Sequence, residues 1–254
     1  MLVFALSFPI WLLEPRGWRV TAAVGAPLVA ALILVYAEEG LAGIQRLLKG
    51  IFDHERIKPR LWYVPVLLLL PLVFVLTYGT TRLLGQPLPE DPHVPTLMIP
   101  LLLVLFFALA MGEEVGWTGY VTDPLQERWG ALTTGIVVGA VGATWHFVPL
   151  AQMGRPPAWI AWWALGSVAL RILTVWLYNN TGRSLFAAIL FHATFNVSFA
   201  VFPNYGSHWD PAVAGAITAL AAVAVTFLWG PKTLARYRYA GGRHAAARMP
   251  GGRS

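Results

Sequence analysis

From residue 1 to about residue 230 the chain returns repeatedly to apolar runs of membrane-crossing length, with no long polar interval between them. A bilayer core of about 30 Å takes about 20 apolar residues in helix. Eight candidate spans answer that description: residues 1–13, 19–37, 62–82, 95–119, 131–150, 158–178, 184–203 and 212–230. The first is short, but it lacks a basic leading segment and a small-residue cleavage site, so it is expected to be a span and not a signal peptide. Of the 254 residues 57% are hydrophobic and 12% charged, against roughly a quarter charged in soluble domains. The expected fold is all-α: a polytopic membrane bundle of about eight transmembrane helices, one domain over residues 1–235 with a motif core at 95–203.

Eight spans put both termini on one side of the membrane. That side would carry 13 of the Lys and Arg residues, in residues 38–61, at Arg128 and Arg183 and from Lys232 onward, against four at Arg16, Arg19, Arg82 and Arg155. The positive-inside rule therefore predicts a multi-pass protein of the cell membrane with both termini cytoplasmic. The net charge of +6 is explained by the same loops and tail, so nucleic acid is not an expected partner; the lipid bilayer is. In residues 38–61, Leu41, Ile44, Leu47, Leu48 and Ile51 recur at helical spacing between charges, which predicts an amphipathic helix lying in the interface between the second and third spans. Residues 236–254 are small, basic and glycine-rich and are expected to be a disordered cytoplasmic tail. Trp11, Trp18, Trp62, Trp129, Trp159 and Trp229 near span ends read as an interfacial belt. With no cysteine, thiolate catalysis, thiolate-bound metals and disulfides are excluded.

Inside the predicted bundle the informative residues are those that cannot easily reach water: Glu113, Glu114, His146, Arg171 and His192. A charge left facing lipid at a helix centre costs at least ~2.5 kcal/mol, so these groups should face one another or a wet cavity. Adjacent residues on a helix point about 100° apart. Glu113 would thus share a face with Trp117 and Glu114 with Thr118, leaving one carboxylate for a substrate and one for the scaffold. His192 and Asn196, four residues apart in "FHATFN", present an imidazole and a carboxamide on one face. At 1.5 Å per residue, Glu113 and His192 lie roughly 10 and 13 Å from the predicted cytoplasmic ends of their spans, but His146 lies roughly 22 Å from its own. The three depths do not agree. Gly135, Gly139, Gly142 and Ala143 before His146 suit close helix packing.

Taken together, "EEVGWTGY", "WHFVPL" and "LYNNTGRSLFAAILFHATFN" closely resemble, in order, the three motifs of the CPBP family, which comprises type II CAAX prenyl-proteases and bacteriocin-processing or immunity proteins. The resemblance spans residues 100 to 200 and implies an intramembrane endopeptidase built as an eight-helix bundle. By motif position it implies that Glu113 is the catalytic glutamate, Glu114 its supporting partner, His146 the second-motif histidine, and His192 and Asn196 the third-motif pair. The first motif of the family usually reads EExxxR, and here the arginine position is Thr118. Two outcomes are open: Arg171 supplies the missing cation from another helix, or Glu114 is held uncharged, as burial without a partner favours.

The expected reaction is hydrolysis of a peptide bond in a membrane-associated protein or peptide. Glu113, assisted by His146, would activate a water while His192 and Asn196 hold the oxyanion. A metal-assisted form would place one divalent ion such as zinc on His146 and His192, with Glu113 or Asn196. Two further readings stand beside these: a catalytically silent immunity or scaffold protein, favoured by Thr118, and a bis-histidine haem protein using His146 and His192.

Overall fold

The computed structural model describes residues 1–13, 23–90, 94–203, 206 and 208–235. All regular structure among them is helical: α1 (Leu2–Leu13), α2 (Ala26–Lys49), α3 (Tyr63–Leu83), α4 (Ile99–Glu114), α5 (Asp123–Trp129), α6 (Ala131–Gln152), α7 (Pro157–Asn180), α8 (Leu185–Val201) and α9 (Pro211–Trp229). A π-helix, Val115–Thr122, joins α4 to α5 without a break. Among the described residues six helical segments are long and apolar enough to cross a membrane, while α1 and α8 fall short by length. Their outer faces carry large exposed apolar side chains, such as Leu68 and Val75 on α3, Val104 on α4 and Leu220 on α9. A soluble protein would bury such a belt, and in a bilayer it meets lipid. The chain is a membrane protein with an all-helical bundle, and among the described residues six spans meet the length requirement, with α1 and α8 as shorter apolar helices.

The short α8 lies at the centre of the bundle. It is buried on nearly every side, packing against α3, α4 and α7, and a helix walled in by other helices need not match the bilayer thickness. Its start is fixed by a residue from far upstream. Asp53 accepts hydrogen bonds from Ser184 Oγ at 2.6 Å, Phe186 N at 3.1 Å and Leu185 N at 3.3 Å, and Ser184 Oγ in turn accepts from Ala187 N. Three of the amides a helix leaves open at its first turn are thereby satisfied.

Residues 38–61 meet their expectation in part. The helical stretch Ala26–Lys49 is broken at Gly40, whose φ of 63° and ψ of −155° suit only glycine, so a separate helical segment carrying Leu41, Ile44, Leu47 and Leu48 follows the break. Three short 3₁₀ turns follow, ending at Trp62. Leu41 and Leu48 face outward, whereas Ile51 and Ile57 are buried against the bundle. Trp11 is buried against Trp145. Trp62 meets Trp176 and Trp229 edge-on. Trp18 and the tail 236–254 lie outside the described residues.

Residues after α9 close the structure. The Lys232 and Pro231 carbonyls accept from Ala131 N and Leu132 N, the first amides of α6, at 2.9 and 3.0 Å. Asn179 and Asn180 at the end of α7 donate to the carbonyls of Thr233 and Leu234. Close contact between α6 and α7 depends on glycine: a Cβ on Gly139 would lie 2.8 Å from the Val168 Cα, and one on Gly135 3.0 Å from the Ile172 Cα.

Candidate active site

Glu113, Glu114, His146, Arg171, His192 and Asn196 all line one cavity of about 310 Å³. They come from α4, α6, α7 and α8. The depth disagreement for His146 disappears because the helix bearing Glu113 does not stop at residue 119. It runs on through the π-helix and α5 to Trp129, which puts Glu113 roughly 24 Å from that end, against roughly 22 Å for His146 from Ala131. The start of α8 is set further in, since a Cβ on Gly119 would lie 3.1–3.6 Å from the Leu185 side chain and 2.9 Å from that of Leu47. His192 therefore reaches Glu114 from a start point well short of Trp129.

The two adjacent carboxylates sit in opposite circumstances. Glu114 is 1% exposed and accepts from four donors: Arg171 Nη1 at 2.7 Å and Nη2 at 2.8 Å, Thr118 Oγ1 at 2.5 Å and His192 Nδ1 at 2.8 Å. A carboxylate offers about four lone-pair positions, so this one is saturated. The paired contact with Arg171 is the bidentate geometry in which a guanidinium fits a carboxylate best. Of the two ways of neutralising Glu114, the structure has the cation from another helix. Glu113, 8% exposed, lines the cavity, and among the described residues no hydrogen bond or ion pair engages it. Its field still reaches Arg171 and His192.

Both histidines are fixed through the same nitrogen. His146 Nδ1 lies 2.8 Å from the Gly142 carbonyl and His192 Nδ1 2.8 Å from the Glu114 carboxylate. Each of those oxygens can only accept, so Nδ1 carries the proton in both rings and Nε2 is the nitrogen left for other chemistry. The His146 ring is held between Trp145 and Trp163 at centroid distances of 4.6 and 4.9 Å. Asn196 lines the cavity with no described hydrogen-bond partner.

The expected metal set is not assembled. Among the described residues no three His, Asp or Glu side chains form a group that could hold an ion, so His146, His192 and Glu113 do not converge as ligands. Trp117 lines the cavity, as its shared face with Glu113 predicts. Trp145 instead packs into the core against Trp11 and Trp117 and donates to Ser7 Oγ at 2.8 Å. Gly142 lines the cavity and a Cβ there would meet nothing within 4 Å, so it makes space rather than a helix contact.

Sequence reasoning missed the apolar arm of the cavity, walled by Phe74, Trp163, Phe195 and Trp209. These residues come from α3, α7, α8 and the segment before α9, and nothing in their spacing links them. Asp53 was missed for the same reason: its partners are 131 to 133 residues away.

With this geometry in view, two comparisons bear on the chain. The family model described as type II CAAX prenyl endopeptidase Rce1-like matches residues 95–198, the stretch holding Glu113, Glu114, His146, Arg171, His192 and Asn196 of the cavity. A curated relative, CAAX prenyl protease 2 of Methanococcus maripaludis, is 26% identical over 188 residues, covering 68% of each chain. Over this stretch the chain resembles the CPBP/CAAX protease family.

Proposed function

We propose that the protein is an intramembrane endopeptidase in which Glu113 activates the attacking water. The observation that carries this reading is the contrast between the two neighbours: Glu114 is spent on four donors while Glu113 faces the cavity unbonded among the described residues. Water held between Glu113 and His146 Nε2 gives its proton to the carboxylate as its oxygen attacks the scissile carbonyl carbon. Asn196 Nδ2, together with His192 Nε2 when it carries a proton, donates to the developing oxyanion. Glu113 then passes its proton to the amide nitrogen, the C–N bond breaks, and a carboxylate and an amine leave. No step is routed through a metal.

The substrate is a membrane-associated protein or peptide. The apolar arm beside the polar residues suits a large apolar group next to the scissile bond, and a prenyl chain of the kind named for the curated relative is one such group. Both termini are assigned to the cytoplasm by the distribution of Lys and Arg. The silent-scaffold reading drew its support from Thr118, and Arg171 now supplies the cation that Thr118 lacks. A bis-histidine haem reading leaves Glu113, Glu114 and Arg171 without a part.

Purified protein in detergent, given peptides with and without a prenylated cysteine, is expected to cleave at least one of them. Glu113→Gln is expected to reduce kcat by about a thousandfold, the scale of losing a general base with part of its electrostatic environment. Equal turnover by wild type and Glu113→Gln ends the reading.

A further inference from the structure

We infer that Arg171 is the positioning cation of the carboxylate pair, supplied from α7, and that Thr118 in the π-helix and Arg171 form a compensated pair. This rests on the protease reading above. Arg171 is the one charged residue of α7, where an uncompensated cation is costly, and its guanidinium spends three hydrogen bonds within one cluster: two on Glu114 and one, from Nη1 at 3.1 Å, on Thr118 Oγ1. Thr118 accepts from that nitrogen while donating to Glu114 Oε2 at 2.5 Å. It therefore sits alongside the cation–carboxylate contact and bonds to both partners, with 1% of its surface exposed. A guanidinium on residue 118 would need the same space and the same saturated oxygens.

The helix packing explains how this cation comes within reach. The bare Gly139 lets the Arg171 stem lie against α6, since a Cβ there would stand 3.0 Å from the Arg171 Cβ. Fixed by two nitrogens, Glu114 can turn only one remaining direction toward α8, which sets His192 Nδ1 and so aims its Nε2. Arg171 touches no reacting atom; it acts through Glu114 and His192.

The test is a double-mutant cycle on the full chain, with kcat, KM and thermal unfolding measured for each protein. Arg171→Leu is expected to lower kcat about 100-fold with KM within about threefold, at temperatures where the variant remains folded. Thr118→Arg alone is expected to be similarly slow, because two guanidiniums then compete for one carboxylate. The double variant Thr118→Arg/Arg171→Leu is expected to recover to within about tenfold of wild type. A double variant no faster than the product of the two single losses overturns the inference, as does an Arg171→Leu enzyme with wild-type kcat.

Should the double variant fail to fold, Arg171→Lys decides. A kcat between those of Arg171→Leu and wild type, at unchanged KM, supports the positioning role, and a lysine variant as slow as leucine overturns it. If wild type cleaves, Glu113→Gln does not and Arg171→Leu is unimpaired, this inference fails while the protease reading stands. If wild type cleaves nothing, both fall.

Discussion

Four donors on Glu114 and none found on Glu113 among the described residues predict that two substitutions, one residue apart, behave oppositely. Glu114→Gln leaves the Arg171 guanidinium buried without its counter-charge and turns an amide nitrogen toward existing donors. It is expected to destabilise the protein by about 3–5 kcal/mol, read as a lowered unfolding midpoint in detergent. Glu113→Gln removes no described bond and is expected to change stability by no more than about 1 kcal/mol while stopping peptide cleavage. Both losing stability equally would refute the division between them. The residue types were legible in the sequence because ionisable groups in apolar runs are costly enough to need a reason. The motif order then singled out which of them meet. What one helix's spacing could not show was how four donors from the π-helix, α7 and α8 crowd onto a single carboxylate, since that depends on crossings between helices.

At the scale of helices, span ends were the least legible feature. Hydropathy falls after Tyr120, but the helix persists to Trp129, because a π-helical segment, in which Thr122 Oγ1 bonds back to the Trp117 carbonyl, carries it onward. Gly40 was the legible counterpart: the helical run breaks there, and a second helical segment begins where the amphipathic spacing predicts one. The position of α8 depends on Asp53, and removing that cap by Asp53→Ala is expected to cost about 1–2 kcal/mol. It should also lower kcat more than it raises KM, since His192 and Asn196 ride on the same helix; a change confined to KM would argue against this. On α6, Gly139→Ala forces a Cβ against the α7 backbone at 2.8 Å. About 1–3 kcal/mol of destabilisation is expected, measured by unfolding. In the Thr118→Arg/Arg171→Leu background its effect on kcat should shrink, because the cation no longer rides on α7.

The whole molecule makes a topological prediction that its composition renders easy to test. Since the chain has no cysteine, a single introduced one is a clean reporter. Lys232→Cys is expected to react with an impermeant thiol reagent from the cytoplasmic side and Arg155→Cys from the opposite side, and the reverse pattern overturns the assigned orientation. That the bundle was helical and membrane-embedded could be read from the apolar runs alone. The central burial of α8 could not, since a 17-residue apolar helix looks the same in sequence whether it faces lipid or other helices. The bonds from the Ala131 and Leu132 amides to the Lys232 and Pro231 carbonyls have a consequence in time. During synthesis α6 enters the membrane well before the segment that satisfies its first turn has been translated. The helix bearing His146 thus waits without these partners until α9 is inserted, and the nascent chain acquires the cavity walls that α9 supplies only at that point.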